Sequence, residues 1–159
     1  AVVLALSGLR RIGLDAHATD VIDPAVMMPA PSQGALAIET RDEPDPLLRT
    51  LLDSLNHRPA ALAASAERTV LSSLGAGCAA PVGAFARVDE ASSALVLDAR
   101  VMSVDGRERV EASGALTLTH AVGLDEAARL GADVARQLLQ RGAAEVTDLG
   151  ATKAPRHPL

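Results

Sequence analysis

The chain has 159 residues, enough for one ordinary domain or two small ones. Its net charge of −5 comes without a lysine or arginine block, which argues against non-specific binding to nucleic acid or to an anionic membrane. Phe85 is the sole aromatic residue, so base-stacking platforms are excluded and the core must be built from Leu, Val and Ala.

The chain opens without Met, in the apolar run Ala1-Val2-Val3-Leu4-Ala5-Leu6. This run reads as a buried strand entered midway, and it leads to the expectation that the sequence is the C-terminal piece of a longer protein. Ser7 is positioned to cap a short helix over Gly8 to Ile12, with Gly13 as its stop. Residues 15–32 read as loop, because Asp23-Pro24, Met28-Pro29 and Ala30-Pro31 each disfavour helix at the residue before proline. A strand is expected over Ala35 to Glu39. Asp45 is a good N-cap with Pro46 at the first helical position, and Leu47, Leu48, Leu51, Leu52 and Leu55 then make one apolar stripe. Asn56-His57-Arg58-Pro59 interrupts the pattern before an alanine-rich helix from about Ala60 to Leu74.

Beyond Cys78 the period changes to two. Strands are expected over Val82 to Val88, Leu95 to Met102 and about Arg107 to Leu118, with Asp105-Gly106 as a hairpin turn. The final helix, over 124–141, collects Leu124, Ala127, Ala128, Gly131, Val134, Ala135 and Leu138 on one face, and Gly142 ends it. The tail 150–159, with two prolines, is expected to be disordered. Residues 57–149 therefore read as α-β-β-β-α, a three-stranded antiparallel sheet with helices on one face. Residues 1–56 do not form a closed unit; their strands and helices need partners that the chain does not supply.

The chemistry centres on Cys78, in Leu74-Gly75-Ala76-Gly77-Cys78-Ala79-Ala80-Pro81-Val82-Gly83. A lone thiol cannot be half of an internal disulfide. It is either a small buried hydrophobe or a nucleophile presented on a glycine-rich turn. No metal site is expected, because His17, His57, His120 and His157 are scattered without a second ligand at helical spacing. Gly75, Gly77 and Gly83 lack the Lys-Ser/Thr of a phosphate loop. Arg10-Arg11 is either a solvated helix face or a carboxylate grip at a strand end. Pro31-Ser32-Gln33-Gly34-Ala35 is either a plain turn or a place where backbone amides approach a ligand.

Three segments in this order resemble the porphobilinogen deaminase family, also called hydroxymethylbilane synthases. They are Leu6-Ser7-Gly8-Leu9-Arg10-Arg11-Ile12-Gly13-Leu14, then Pro29-Ala30-Pro31-Ser32-Gln33-Gly34-Ala35-Leu36-Ala37-Ile38-Glu39-Thr40-Arg41, then Ala66-Glu67-Arg68 through Leu74 into Gly77-Cys78-Ala79-Ala80-Pro81-Val82-Gly83-Ala84. The resemblance implies a cytoplasmic, monomeric transferase of haem and tetrapyrrole biosynthesis. Such an enzyme joins four porphobilinogen units into hydroxymethylbilane with loss of ammonia. It implies a dipyrromethane cofactor held through a thioether at Cys78, with Gln33, Gly34 and Gly77 beside it and Arg11 on substrate carboxylates.

The implied layout is α/β. Residues 1–32 end the second domain of a two-lobed region like the periplasmic binding proteins, and 33–56 return to the first. Residues 57–149 form the cofactor-cysteine domain, followed by the 150–159 tail. The family usually has glycine at the positions of Ser32 and Ala76, where a positive φ would be costly for a side chain. Its catalytic aspartate falls outside these residues, so the chain alone is expected to be inactive.

Two other readings compete. The α-β-β-β-α order is also that of double-stranded-RNA-binding domains, which need a basic second helix. Here that helix mixes Asp125, Glu126 and Asp133 with Arg129, Arg136 and Arg141. The third reading is a non-catalytic structural protein, against which the intact Cys78 loop argues.

Overall fold

Alternation of apolar and polar residues from 82 onward produces an antiparallel meander in the computed structural model, which describes residues 1–152. Strands β1 (Val82–Asp89), β2 (Ala94–Met102) and β3 (Arg109–Thr117) lie in the order β1-β2-β3. Val82 pairs with Val101 and Asp89 with Ala94 in the first hairpin; Ala94 pairs with Thr117 and Met102 with Arg109 in the second. That register sends Ala84, Ala86, Leu95, Leu97, Ala99, Val101 and Ala112 to one buried face.

Two helices cover this face, α3 (Arg58–Leu74) and α4 (Leu124–Gln140), and a short α5 (Ala143–Val146) follows. Leu62, Ala66, Val70 and Leu74 recur every fourth residue along α3, while Ala127, Leu130, Val134, Ala135 and Leu138 line α4. Because the core lacks large rings, the layers approach closely. A Cβ on Gly131 of α4 would lie 2.2 Å from the Ala66 carbonyl oxygen of α3. A Cβ on Gly114 of β3 would lie 2.8 Å from Leu130 Cδ1. Both glycines are places where a helix presses on its neighbour's backbone or side chain.

The N-terminal segment differs from its reading. Residues 1–5 and 35–39 are not strands, and Val2 and Leu36 are 81% and 94% exposed. An extended run without a neighbour leaves its N–H and C=O groups unpaired, so apolar content alone does not make it a strand. The first helix, α1, spans Leu6–Arg11 and begins after Ala5; Ser7 sits inside it and makes no cap. Helix α2 (Pro46–Leu55) agrees with expectation, and the Asp45 carboxylate accepts the Leu48 N–H at 2.9 Å. Its stripe at Leu47, Leu51 and Leu55 is exposed, however, and α1 and α2 pack on none of the α3, α4 and sheet elements.

Smaller differences have local causes. Helix α3 starts two residues early, at Arg58, because His57 Nδ1 accepts the Ala60 N–H and Pro59 is tolerated in the first turn. Strand β3 starts at Arg109 because Asp105 and Ser103 side chains take the Arg107 and Glu108 N–H groups. Leu124 heads α4 but is exposed. The tail reading changes at its start: Leu149 is buried, and Ala151 is hydrogen-bonded to the turn before β1. Residues 153–159 lie outside the described residues.

Gly131→Ala is expected to cost about 2 kcal/mol or more, since the new methyl must displace backbone rather than a flexible side chain. Urea unfolding of the two proteins measures it; an unchanged midpoint would contradict the close helix crossing.

Candidate functional site

The C-terminal end of α3 aims the cysteine. Gly75 takes a left-handed φ of 63°, and the Gly75 and Ala76 N–H groups return to the Ser72 and Leu71 carbonyls. This close turns the chain out of the helix into Gly77–Ala80, where Cys78 is exposed. The structure thus decides between the two readings of the thiol: it is presented, not packed.

The turn is strapped from behind. The Gly77 N–H donates to the Leu149 carbonyl at 2.8 Å, and the Ala79 N–H to the Ala151 carbonyl at 3.1 Å. A Cβ at position 77 would sit 2.3 Å from the Ala151 oxygen, so Gly77 is required by the strap as well as by the turn. The amides on either side of Cys78 are therefore both engaged.

Segment 29–34 lies against the same domain. Strand β1 is an edge strand, and its outward N–H groups need acceptors. Ala84 N–H donates to the Pro29 carbonyl at 3.3 Å, and Ala86 N–H donates to Glu67 Oε1 at 2.6 Å. The other carboxylate oxygen of Glu67 accepts the Ser32 N–H at 2.5 Å. One buried carboxylate thus ties α3, β1 and the Ser32-Gln33-Gly34 turn together. Burial raises the Glu67 carboxyl above its ordinary value, and the Ala86 and Ser32 N–H bonds offset part of that rise.

The turn itself is strained. Ser32 adopts φ 62°, a left-handed conformation, and its Oγ is buried without a hydrogen-bond partner among the described residues. The expected cost of a side chain at position 32 is therefore met here. Ala76 is not among the positive-φ residues. Gln33 is exposed, and Gly34, at φ 86°, has open space where a Cβ would lie.

A groove of about 580 Å³ runs along α3 between the two loops. Pro31, just before the Ser32 turn, and Ala76, just before Gly77-Cys78, line it together with Ser65, Arg68, Thr69 and Ser72 of α3. A larger hollow of about 770 Å³ lies on the sheet face away from α3 and α4, but its charges already satisfy one another. There Arg87 pairs with Asp98 at 2.7 Å, and Arg100 pairs with Glu111 at 2.6 Å and donates to the Ala25 carbonyl. Arg141 donates to the Glu111 carbonyl. The smaller groove is the better candidate because it adjoins the thiol turn and carries an uncommitted cation.

None of the sequence-predicted residues lines this groove: Gly77 and Cys78 follow its lining residue Ala76, and Gln33 and Gly34 follow its lining residue Pro31. Arg11 ends α1 and is exposed, and α1 packs on none of the helices and strands of the cysteine domain. Glu67, Arg68 and the 149–151 strap were missed. Glu67 left a trace: it falls between Ala63 and Leu71, four residues either side, both packed on the core. A carboxylate in such an apolar row is buried and needs donors. No group of three or more His, Cys, Asp or Glu among the described residues could hold a metal ion. On α4, Arg129 pairs with Glu126 and Arg136 with Asp133, so that helix is not a basic stripe.

The family model described as porphobilinogen deaminase, C-terminal domain, matches residues 61–140, which include Cys78. A second, described as porphobilinogen deaminase, dipyromethane cofactor binding domain, matches residues 1–49, which include Arg11, Gln33 and Gly34. Curated relatives named porphobilinogen deaminase are similar over nearly the whole chain. The protein from Cutibacterium acnes is 44% identical over 98% of this chain and 49% of its own length. That from Corynebacterium efficiens is 46% identical over 91% of this chain and 46% of its own. That from Thermus thermophilus is 41% identical over 91% and 46%. The chain spans about half the length of the curated relatives it matches.

Ser32→Gly removes both the left-handed strain and the orphaned hydroxyl, at some cost in unfolded-state entropy. Exchange of the residue-32 amide with deuterium should slow about fivefold, a gain of roughly 1 kcal/mol in closing the turn; faster exchange would contradict it. For Glu67, the folded-state pKa lies above the unfolded one, so its contribution is fully present below the ordinary carboxylate range and is lost as pH rises through the folded value. The stability of the native protein relative to Glu67→Gln should therefore increase between about pH 7.5 and about pH 5. Urea midpoints of both proteins at the two pH values check the sign.

Proposed function

This chain belongs to the porphobilinogen deaminase family, and on that premise we propose that it carries the cofactor cysteine of a hydroxymethylbilane synthase. The observation that supports the reading most is the exposed Cys78 thiol, held on a strapped turn beside a groove that contains a cation. The site fits a dipyrromethane group. The thiol is accessible, the neighbouring residues are small, and the groove that reaches Ala76, two residues before it, offers Arg68 for a carboxylate. Bound there, that group supplies the electron-rich pyrrole that primes chain growth.

The residues of this chain do the holding. The Cys78 sulfur forms a bond to the aminomethyl carbon of porphobilinogen as the carbon–nitrogen bond breaks, and the thiol proton leaves with the ammonia. A thioether made this way is not hydrolysed, so the attachment is permanent. Gln33 and Gly34 face the bound group from the 29–34 segment, where the open space at Gly34 lets backbone approach it. Arg11, at the end of α1, takes a substrate carboxylate. On this reading the layout is 1–32 as the end of a second domain, 33–56 as a return to the first and 57–149 as the cysteine domain. The full enzyme is a cytoplasmic monomer acting on porphobilinogen, and its catalytic aspartate is not among these residues. An exposed free thiol suits a reducing compartment. No described helix is long and apolar enough to cross a membrane.

Incubating the 159-residue chain with porphobilinogen under reducing conditions should add pyrrole mass to Cys78 and block its alkylation, without release of hydroxymethylbilane. Intact mass spectrometry reads the adduct, and Cys78→Ser should acquire none. An unmodified, alkylatable Cys78 in the full-length enzyme, where every domain is present, would overturn the proposed role.

A further inference from the structure

A carboxylate-bearing substrate needs a cation close to the thiol, and the structure offers few. Arg58 is committed to the Thr119 and Val122 carbonyls. Arg87, Arg100, Arg129 and Arg136 are ion-paired, and Arg141 is bound to the Glu111 carbonyl. Arg107 and Arg109 lie near Asp105 and Glu111. Arg10, Arg11 and Arg49 sit on α1 and α2, which pack on none of the elements of the cysteine domain, and Arg41, in the segment before α2, does not line the groove.

Arg68 is different. It is exposed on α3, makes no hydrogen bond or ion pair among the described residues, and lines the groove between Pro31 and Ala76. No carboxylate lines that groove. The hydroxyl protons there are already spent: Ser65 donates to the Leu124 carbonyl, Thr69 to that of Ser65 and Ser72 to that of Thr69. The guanidinium is thus the groove's uncommitted donor, and its planar fork matches a carboxylate. The neighbouring Glu67 is turned toward the Ser32 and Ala86 N–H groups and makes no ion pair with it.

We propose that Arg68 binds a carboxylate of the pyrrole ring presented to Cys78 and so makes this thiol selective for carboxylate-bearing electrophiles. The proposal rests on the functional reading above, but its test does not use porphobilinogen. Two alkylating reagents of the same size probe Cys78 in the 159-residue chain: iodoacetate, which carries a carboxylate, and iodoacetamide, which is neutral. Each forms a carbon–sulfur bond, expels iodide and releases the thiol proton.

The ratio of the two rates reports the local preference for a carboxylate. It should fall about threefold or more in Arg68→Gln, the size expected for one nearby charge in a largely aqueous groove. Arg68→Lys should keep most of the ratio, and Arg49→Gln, a charge loss elsewhere, should leave it unchanged. Any change in the thiolate fraction alters both rates alike and cancels in the ratio. In the native chain the ratio should also fall with added sodium chloride, which reads the same interaction without any substitution. A ratio unmoved by Arg68→Gln, moved equally by Arg49→Gln, or insensitive to salt would overturn the assignment. A charge-dependent ratio alongside no pyrrole adduct on Cys78 of the full-length enzyme would leave Arg68 as a carboxylate site and reject the functional reading alone.

Discussion

Everything near the cysteine depends on how closely α3 and α4 cross. Gly131 lets the α4 backbone come within contact of the Ala66 carbonyl, and that contact fixes both the depth and the rotation of α3 on the sheet. With Ala66 turned into the crossing, the next two residues diverge. Glu67 reaches the β1 edge, whereas Arg68 faces the groove. A rotation error of one residue, about 100°, would put the Arg68 cation against β1 in place of the Glu67 carboxylate. An aromatic-poor core is what makes so tight a crossing possible, because small side chains leave the backbones as the contacting surfaces.

The cysteine turn is held at both ends by backbone instead of side chains. Gly75 closes α3, and the Leu149 and Ala151 carbonyls take the amides flanking Cys78. Hydrogen bonds to backbone leave the space around the sulfur unobstructed, which suits a residue that must carry a bulky permanent group. The same economy explains Gly77 and Ala79: larger side chains would compete with either the strap or the group.

Much of this was legible. The switch from period 3.6 to period two at Cys78, the Asp45-Pro46 start of α2 and the Asp105-Gly106 turn each have a local cause, so the sequence carries them directly. The Gly77-Cys78 turn and the Gln33-Gly34 loop were found for the same reason. What could not be read were contacts between distant segments. Glu67 looked like one more charge on an alanine-rich helix, and its meaning comes from Ser32 and Ala86, 35 and 19 positions away. The strap looked like the start of an unstructured tail. Residues 1–5 and 35–39 failed in the opposite direction, since β-branched and apolar residues announce a strand only where another strand lies alongside.

The cover on β1 has a further consequence for the life of the protein in a crowded cell. An exposed edge strand with free N–H groups is a template on which other chains can add strands and aggregate. Here the Pro29 carbonyl and the Glu67 carboxylate occupy the outward amides of Ala84 and Ala86, and the segment that supplies Pro29 is held in turn by Ser32. The far edge, β3, is guarded differently, by Arg109 and Glu111 at its start. If the 29–34 segment lifted away, β1 would become the vulnerable edge. The bond network that sets the Gln33 loop therefore also keeps the folded domain from recruiting copies of itself.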